Sequence, residues 1–433
     1  MSEAALPGTD VPHYHTVGIG AGPANLSLAA LFESATTETI ALFDSQPDAG
    51  WHNRLLHSGV RMQTSWLKDL VSLVDARHEL TFLNYLVTTG RMFAFMNSQF
   101  DFMPRTEYVR YLSWAASKLR HVHYGVRIDQ ITLGDNGFAL FSAGRPVGTG
   151  EHLVIGMGSR PFIPAEFVGL PADRAFIADD LAERIGDLGA DTGAPVAVAG
   201  GGQTGIEAVM FLLGKGFTNI KWFGRRLWFE TIDDSPTAND VYRPAHMQAL
   251  QRLSPATRRR IIERLNPTGD ALTPGAVRAL YQANYDAMLV TGHFPVTMFP
   301  GRDVHSGVLD QAGDGSDEIV LHCRTPEKPE QHRVRHLVIA TGRENTPVPF
   351  DDELGERIEI GEDGELIVEP DFSVRWKGMN GHQIYALNRS RLGHGLTDAN
   401  LTLLPVRAAI VLNSMFGREM FEIRDELCPV NWG

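Results

Sequence analysis

The chain has 433 residues, of which 43% are hydrophobic and 21% charged, so it is a globular protein long enough for two or three domains. A formal net charge of −13 argues against a broad nucleic-acid-binding surface, which requires clustered Lys and Arg. No apolar run reaches the ~18 residues of a membrane span, and the N-terminus lacks a signal-peptide pattern. Cys323 and Cys428 form neither a CxxC motif nor a metal-ligand spacing, so we expect a cytoplasmic protein without disulfides.

The first predicted strand, residues 14–19, runs into a glycine-rich turn and then a predicted helix. Gly20 and Gly22 allow the backbone to bend and allow a pyrophosphate to approach the helix N-terminus. Asn25 stands where a third glycine is usual, and its small side chain can pack against the strand or reach a phosphate. Asp44 ends the next strand, where an acid accepts hydrogen bonds from the ribose of an adenine dinucleotide. This context predicts a dinucleotide site, with a purely structural glycine turn as the alternative.

A second strand–turn–helix pattern begins at Val196 and has the full glycine spacing, with Gly200, Gly202 and Gly205. The next predicted strand ends before Arg225, where a basic residue selects the 2′-phosphate of NADPH over the 2′-hydroxyl of NADH. The alternative is that the Arg225-Arg226 pair is only a solvated surface pair. Two such turns in one chain suggest two dinucleotides, most simply a flavin and a nicotinamide.

Residues 233–295 have a helical pattern interrupted by Pro244, Pro255, Pro267 and Pro274, and we interpret them as an insertion that forms a small-molecule pocket. The predicted fold is therefore α/β, with two Rossmann-like dinucleotide-binding domains and a small helical substrate-binding insertion. The predicted boundaries are residues 1–189 and 345–433 for the FAD domain, 190–232 and 296–344 for the NADPH domain, and 233–295 for the insertion.

Several further segments resemble the flavin-dependent N-hydroxylating monooxygenases of siderophore biosynthesis, the lysine N6- and ornithine N5-hydroxylases. The resemblance covers nearly the whole chain. Its most specific segment is residues 62–71, MQTSWLKDLV. The other segments, in order, are residues 18–28, 50–52, 82–86, 104–105, 111–116, 200–205, 340–342 and 394–401. One departure lies at residues 176–179, where the family often carries a His-Ser pair and this chain has FIAD.

The resemblance implies a role for each matching residue. The residues that hold the adenine half of FAD are Gly20, Gly22, Asn25 and Asp44. Those that lie along the FAD are Trp51, His52 and Gln63, with Gln63 near the ring and Leu401 covering the flavin. The NADPH contacts are Gly200, Gly202, Gly205, Gln203 and Arg225. The substrate contacts are Lys68, Asn239 and Asn284, and the catalytic set is Gln63, Lys68 and Asn284.

Simpler interpretations of some of these residues remain open. His52 can be a packed imidazole, Lys68 can form a surface pair with Asp69, and Asn239 and Asn284 can cap helices. None of these roles requires a bound ligand.

The resemblance also implies the chemistry. NADPH reduces FAD, O₂ adds at the flavin C4a, and the amine substrate attacks the distal oxygen of the resulting hydroperoxide. A free Lys-type amine has a pKa of ~10.4, so the site must lower the amine pKa to expose its lone pair. The expected substrate is L-lysine, then L-ornithine, with putrescine, cadaverine or a histamine-like amine as alternatives. A monooxygenase of another nucleophilic centre and a non-catalytic flavin redox sensor are the remaining alternatives. The family suggests a homo-oligomer, a tetramer or a dimer.

Overall fold

The structure is a computed structural model that describes residues 11–52, 54, 60–63, 65–100, 102–311, 317–378, 381–398, 400–425 and 427–432. The strands of this part of the chain are β1 His13–Ile19, β2 Ile40–Asp44, β3 Val122–Tyr124, β4 Gln130–Gly134, β5 Gly137–Ser142, β6 Arg145–Ile155, β7 Ser159–Pro161, β8 Ala175–Ile177, β9 Val196–Ala199, β10 Ile220–Gly224, β11 Val296–Pro300, β12 Asp303–Gln311, β13 Asp317–Arg324, β14 Glu330–Val334, β15 His336–Ile339, β16 Arg343–Asn345 and β17 Ile384–Ala386. The α-helices are α1 Pro23–Ala35, α2 Phe82–Thr88, α3 Met92–Asn97, α4 Arg105–Ala116, α5 Gln203–Gly214, α6 Pro236–Asn239, α7 Pro244–Gln251, α8 Pro255–Leu265, α9 Pro274–Thr291, α10 Asp352–Arg357, α11 Arg391–His394 and α12 Leu404–Met415.

The first domain is built on a sheet with strand order β3-β2-β1-β6-β5-β4, and β17 also pairs with β6. The pairs β1–β2, β1–β6, β2–β3 and β6–β17 are parallel, whereas β4 and β5 form an antiparallel hairpin on β6. The central strands β1 and β2 are buried over most of their length, as expected for a sheet that is covered on both sides. Helices α1, α4 and α12 contribute to the core on one face of this sheet.

The second domain is built on a five-stranded parallel sheet with strand order β11-β10-β9-β15-β8. A three-stranded antiparallel sheet, β12-β13-β14, packs beside it, and a short antiparallel pair of β7 with β16 connects the two domains. In both domains a central strand leads through a glycine turn into a buried helix. The predicted α/β class with two Rossmann-like domains is thus confirmed.

The structure differs from the predicted domain boundaries at two points. Strand β8 pairs with β15, so the segment that contains the FIAD departure belongs to the second sheet rather than to the first domain. Helix α9, predicted within the insertion, packs Leu280 into the core of the second domain. The insertion proper is therefore the group of helices α6 to α8. It packs Val241, Tyr242 and Ile262 against Leu396 near the C-terminus.

Within the described part of the chain, no single helix is both long and apolar enough to cross a membrane. One pair, Arg391–Thr397 with Leu401–Met415, passes the same test of length and composition but is bent by 90°.

Candidate active site

The turn between β1 and α1 has the geometry that a dinucleotide pyrophosphate requires. Gly20 has a φ of +88°, and a Cβ at this position would lie 2.4 Å from the carbonyl oxygen of Gly156, so only glycine fits. Gly22 caps α1 with extended backbone, and a Cβ there would meet no atom within 4 Å. The open space at the helix N-terminus, where backbone N–H groups are unsatisfied, is suited to an anion.

Asn25 and Asp44 hold this turn from either side. The Nδ2 of Asn25 donates to the carbonyl oxygens of Ile19, at 3.1 Å, and Gly20, at 2.7 Å, and the side chain is fully buried. It therefore packs against the strand end and does not reach a phosphate. The Oδ2 of Asp44 accepts a hydrogen bond from the N–H of Ala21 at 2.6 Å, which places the carboxylate beside the turn, as a ribose contact requires.

Trp51, His52 and Gln63 form the next part of the site. The Trp51 ring stands edge-on to His52 and to Tyr108, with ring centroids 4.5 and 5.6 Å apart. Burial, helped by the positive charges of Arg343 and Arg105, lowers the pKa of His52 to about 4, so its ring is neutral. The Nε2 of Gln63 is buried without a hydrogen-bond partner among the described residues. A buried N–H donor without an acceptor destabilises the folded protein, and a carbonyl group of a flavin ring would provide the missing acceptor.

Lys68 is half-buried, and burial lowers the pKa of its ammonium group. No carboxylate in the described part of the chain lies within ion-pair distance of it. Its neighbour Asp69 is occupied elsewhere: its carboxylate accepts the N–H groups of Val71, Ser72 and Phe82 at 2.7 to 2.9 Å. The predicted alternative of a Lys68–Asp69 surface pair is therefore wrong.

The Asp69 contacts also fix the end of the MQTSWLKDLV segment in place. Asp69 is buried and ties this segment to the first turn of α2, and Tyr111 accepts from the N–H of Leu70 and donates to the carbonyl of Leu80. Sequence analysis considered Asp69 only as a surface partner of Lys68 and assigned no role to Tyr111. The signal available for both was their presence inside segments of the resemblance.

The second glycine turn, between β9 and α5, is equally constrained. Gly200 has a φ of +139°, and a Cβ there would lie 1.9 Å from the carbonyl oxygen of Ala340. A Cβ at Gly205 would lie 2.0 Å from the carbonyl oxygen of Gly200, so this glycine permits close packing of helix on strand. Gly202 caps α5 and, like Gly22, faces open space.

The two side chains that are predicted to contact NADPH differ in their surroundings. Gln203 bridges within the protein: its Nε2 donates to Glu207 at 3.0 Å, and its Oε1 accepts the N–H of Thr273 at 2.9 Å. Arg225 is exposed and makes no hydrogen bond or ion pair with another described residue. Arg226, in contrast, donates to the carbonyl of Asp270 and forms an ion pair with Glu230 at 2.9 Å. Of the two arginines, Arg225 is the one available to a ligand.

An ion pair joins the two domains next to the second glycine turn. Arg105, the first residue of α4, lies 3.0 Å from Glu207 of α5, and the two side chains are only 12% and 7% exposed. Glu207 also accepts the bond from Gln203. Sequence analysis missed this pair, although Arg105 belongs to one of the resembling segments and Glu207 follows Gly205 by two residues.

The two asparagines predicted to contact the substrate, Asn284 and Asn239, differ in their surroundings. Asn284 lies on α9 and is buried, and its Nδ2 and Oδ1 pair with the C=O and N–H of Val296, both at 2.9 Å. The amide therefore fixes α9 to the start of β11, and it keeps one N–H and one lone pair beyond these two bonds. Asn239, at the end of α6, is exposed, and its Nδ2 donates to the carbonyls of Asp234 and Ser235. Its Oδ1 is left to accept a bond from a ligand.

The C-terminal segment of the site rests on a buried ionic network. Arg407 is 1% exposed and lies 3.5 Å from Asp398, and burial lowers the pKa of its guanidinium to about 10. It also donates to Oδ1 of Asn388 and to the carbonyl of Asn400. This network holds the chain on both sides of Leu401, which is half-buried against the core of the first domain.

Comparison with known proteins places this arrangement in a family. The L-lysine 6-monooxygenase/L-ornithine 5-monooxygenase family model matches residues 12–345, more than half of the chain. The L-lysine N6-monooxygenase of Escherichia coli is 26% identical over 422 residues, covering 96% of this chain and 97% of that protein.

Two solved structures are similar over nearly their whole length. The Kutzneria sp. 744 ornithine N-hydroxylase, solved with reduced FAD, NADP⁺ and L-ornithine, superposes with a TM-score of 0.84 at 26% identity, over 94% of this chain and 99% of that one. The FAD-bound cadaverine monooxygenase of the desferrioxamine pathway from Erwinia amylovora has a TM-score of 0.86 at 23% identity, over 96% of this chain and 98% of that one. The chain belongs to the L-lysine 6-monooxygenase/L-ornithine 5-monooxygenase family of N-hydroxylating monooxygenases.

Proposed function

We propose that this protein binds FAD at the first glycine turn and NADPH at the second, and N-hydroxylates the terminal amine of a small aliphatic amino acid for hydroxamate siderophore biosynthesis. L-Lysine is the first candidate and L-ornithine the second. The observation that carries this choice is the half-buried Lys68 ammonium, which has no carboxylate partner among the described residues.

The residues present fit a flavin and a nicotinamide dinucleotide. The open space beside Gly22 and Gly202 accommodates two pyrophosphates, and the buried Nε2 of Gln63 lacks an acceptor. Bound FAD, once reduced by NADPH, supplies the oxygen-transfer chemistry. The protein contributes binding, orientation and exclusion of water around the reacting amine. The neutral His52 ring adds no positive charge that would compete with the amine substrate.

Lys68 distinguishes an amino acid from a diamine. A buried ammonium without a partner is unfavourable, and the α-carboxylate of lysine or ornithine would compensate it. A diamine would instead bring a second positive charge towards Lys68, which is unfavourable for both groups. The exposed Oδ1 of Asn239 is a suitable acceptor for the α-ammonium group of an amino acid. These contacts determine the length of the substrate's carbon chain less well, because one methylene group in a pocket changes the binding free energy by only ~1–3 kcal/mol.

A substrate screen tests this proposal. We expect NADPH oxidation coupled to hydroxylamine formation with L-lysine, less with L-ornithine, and little with cadaverine, putrescine or histamine. Hydrogen peroxide should be measured in parallel, so that uncoupled NADPH oxidation is not mistaken for turnover. Hydroxylamine from cadaverine or putrescine, with none from either amino acid, would contradict the role given to Lys68.

The presence of Arg225 predicts that the protein prefers NADPH to NADH. Arg225→Ala should raise the KM for NADPH by about 10- to 150-fold, because a hydrogen bond to a charged group is worth ~1.5–3 kcal/mol, while the KM for NADH changes little. Arg226→Ala is the matched control, since this neighbour is already engaged with Asp270 and Glu230. Steady-state rates measured with NADPH and with NADH give the ratio of the two KM values. Equal effects of Arg225→Ala on NADPH and NADH would rule out its contact with the 2′-phosphate.

A further inference from the structure

A cluster of metal-ligand side chains lies in the first domain, outside the segments that form the proposed active site. His15 on β1 and Glu151 and His152 on β6 each offer one ligand atom, and these atoms all lie within 4.8 Å of one another. The two imidazole rings are tilted, with centroids 5.0 Å apart. No other group of three such side chains occurs in the described part of the chain.

The pairing of the strands creates this cluster. β1 and β6 are parallel neighbours, with Tyr14 in register with Gly150 and Thr16 with His152, which brings the backbone of His15 beside that of Glu151 and His152. The glycine turn begins five residues after His15. At ~3.3 Å per residue, the cluster is therefore about 16 Å from the proposed flavin site. A metal ion bound here would not reach the reacting atoms.

We propose that His15, Glu151 and His152 form a binding site for a divalent transition-metal ion of the Zn²⁺ class. Two imidazoles and one carboxylate are a ligand set that Zn²⁺ accepts, with water completing the coordination. Zinc ligands stand about 3.3 Å apart in a tetrahedral site, so the three groups must approach one another by roughly 1 Å or more. Glu151 is exposed, and rotation of its side chain can provide this movement.

The ring of His15 is oriented as a metal ligand requires. Its Nδ1 lies 2.9 Å from the hydroxyl oxygen of Thr16, and that hydroxyl donates to the sulfur of Met415. A tautomer with the proton on Nδ1 satisfies both contacts and leaves the lone pair of Nε2 for a metal. The ring also stacks on Phe416, with centroids 5.0 Å apart and an angle of 5° between the planes.

His152 is buried in the sheet and also suits a metal. The N–H of Gln383 lies 3.2 Å from its Nδ1, and an ion bound at that nitrogen would displace this contact. Of the three proposed ligands, Glu151 also lines a surface pocket, together with His13 and His382.

Zinc binding to the FAD-loaded protein tests the proposal. After dialysis against EDTA and removal of the chelator, titration calorimetry with ZnCl₂ should show one ion per chain, and the melting temperature should rise with zinc. Glu151→Gln and His15→Gln should each raise the Kd at least about tenfold, because even indirect supports of a metal site contribute 10- to 100-fold. His293→Gln, an exposed histidine in the second domain, is the control and should leave the Kd unchanged.

Activity assays separate this site from the catalytic one. Glu151→Gln should retain wild-type NADPH-dependent turnover, with or without zinc, since the cluster is remote from both glycine turns. Absence of zinc binding to the wild-type protein would overturn the proposal. Binding that both Glu151→Gln and His15→Gln leave unchanged would place the ion elsewhere and would overturn it equally.

Discussion

Replacing Gly22 with valine should abolish FAD binding without unfolding the protein. The backbone at Gly22 has φ −76° and ψ 178°, which valine adopts readily, and a Cβ there meets no atom within 4 Å. The added side chain would instead occupy the space in which the pyrophosphate approaches the N-terminus of α1. The purified variant should lack flavin absorbance after desalting, even when FAD is supplied in excess, while its circular dichroism remains that of the wild type.

Gly202→Val is the matched control, because the second turn repeats the geometry of the first. Gly202 has φ −97° and ψ −173°, and its Cβ position is also free of neighbours. This variant should keep FAD but lose reduction of the flavin by NADPH. If Gly22→Val retains stoichiometric FAD, or if Gly202→Val loses it, the assignment of the two turns is wrong.

Lys68→Met should lower kcat/KM for L-lysine by about 10- to 150-fold, because the substrate carboxylate would lose a charge-assisted hydrogen bond worth ~1.5–3 kcal/mol. Methionine keeps most of the volume of the lysine side chain, so the loss of charge is separated from the creation of a cavity. Reduction of the flavin by NADPH, measured by stopped flow without substrate, should stay close to the wild-type rate.

Cadaverine provides the matched substrate for this variant, since it is lysine without the α-carboxylate. Lys68→Met should leave turnover of cadaverine unchanged or increase it, because a like charge has been removed. Equal losses with lysine and cadaverine would show that Lys68 acts on something other than the carboxylate.

The local features of the fold could be predicted from sequence because their causes are local. A glycine that must adopt positive φ, as Gly20 does, or that must permit close packing, as Gly205 does, leaves a pattern readable within ten residues. The acid or base that follows the next strand is similarly close in sequence. These signals identified both turns and led to the predicted roles of Asp44 and Arg225.

Features that depend on distant contacts could not be predicted in this way. Lys68 and Asp69 are adjacent in sequence, but Asp69 is committed to an N–H 13 residues away, at Phe82, and Lys68 lacks a described carboxylate partner. The amide of Asn284 could have faced a ligand or the backbone of β11, and only the packing of α9 decides this. The edge strand β8 is three residues long and has no periodicity strong enough to assign it to a sheet.

The Arg105–Glu207 pair sets a rule for building chimeras from members of this family. Each domain contributes one charge to a contact that is almost entirely shielded from water. If the second domain alone were exchanged, Arg105 would face whatever residue the donor protein carries at the position of Glu207. Loss of one member of a buried pair costs about 3–5 kcal/mol, a large share of the stability of a typical domain. A viable hybrid must therefore inherit α5 and the start of α4 from the same parent, or restore the opposite charge at the junction.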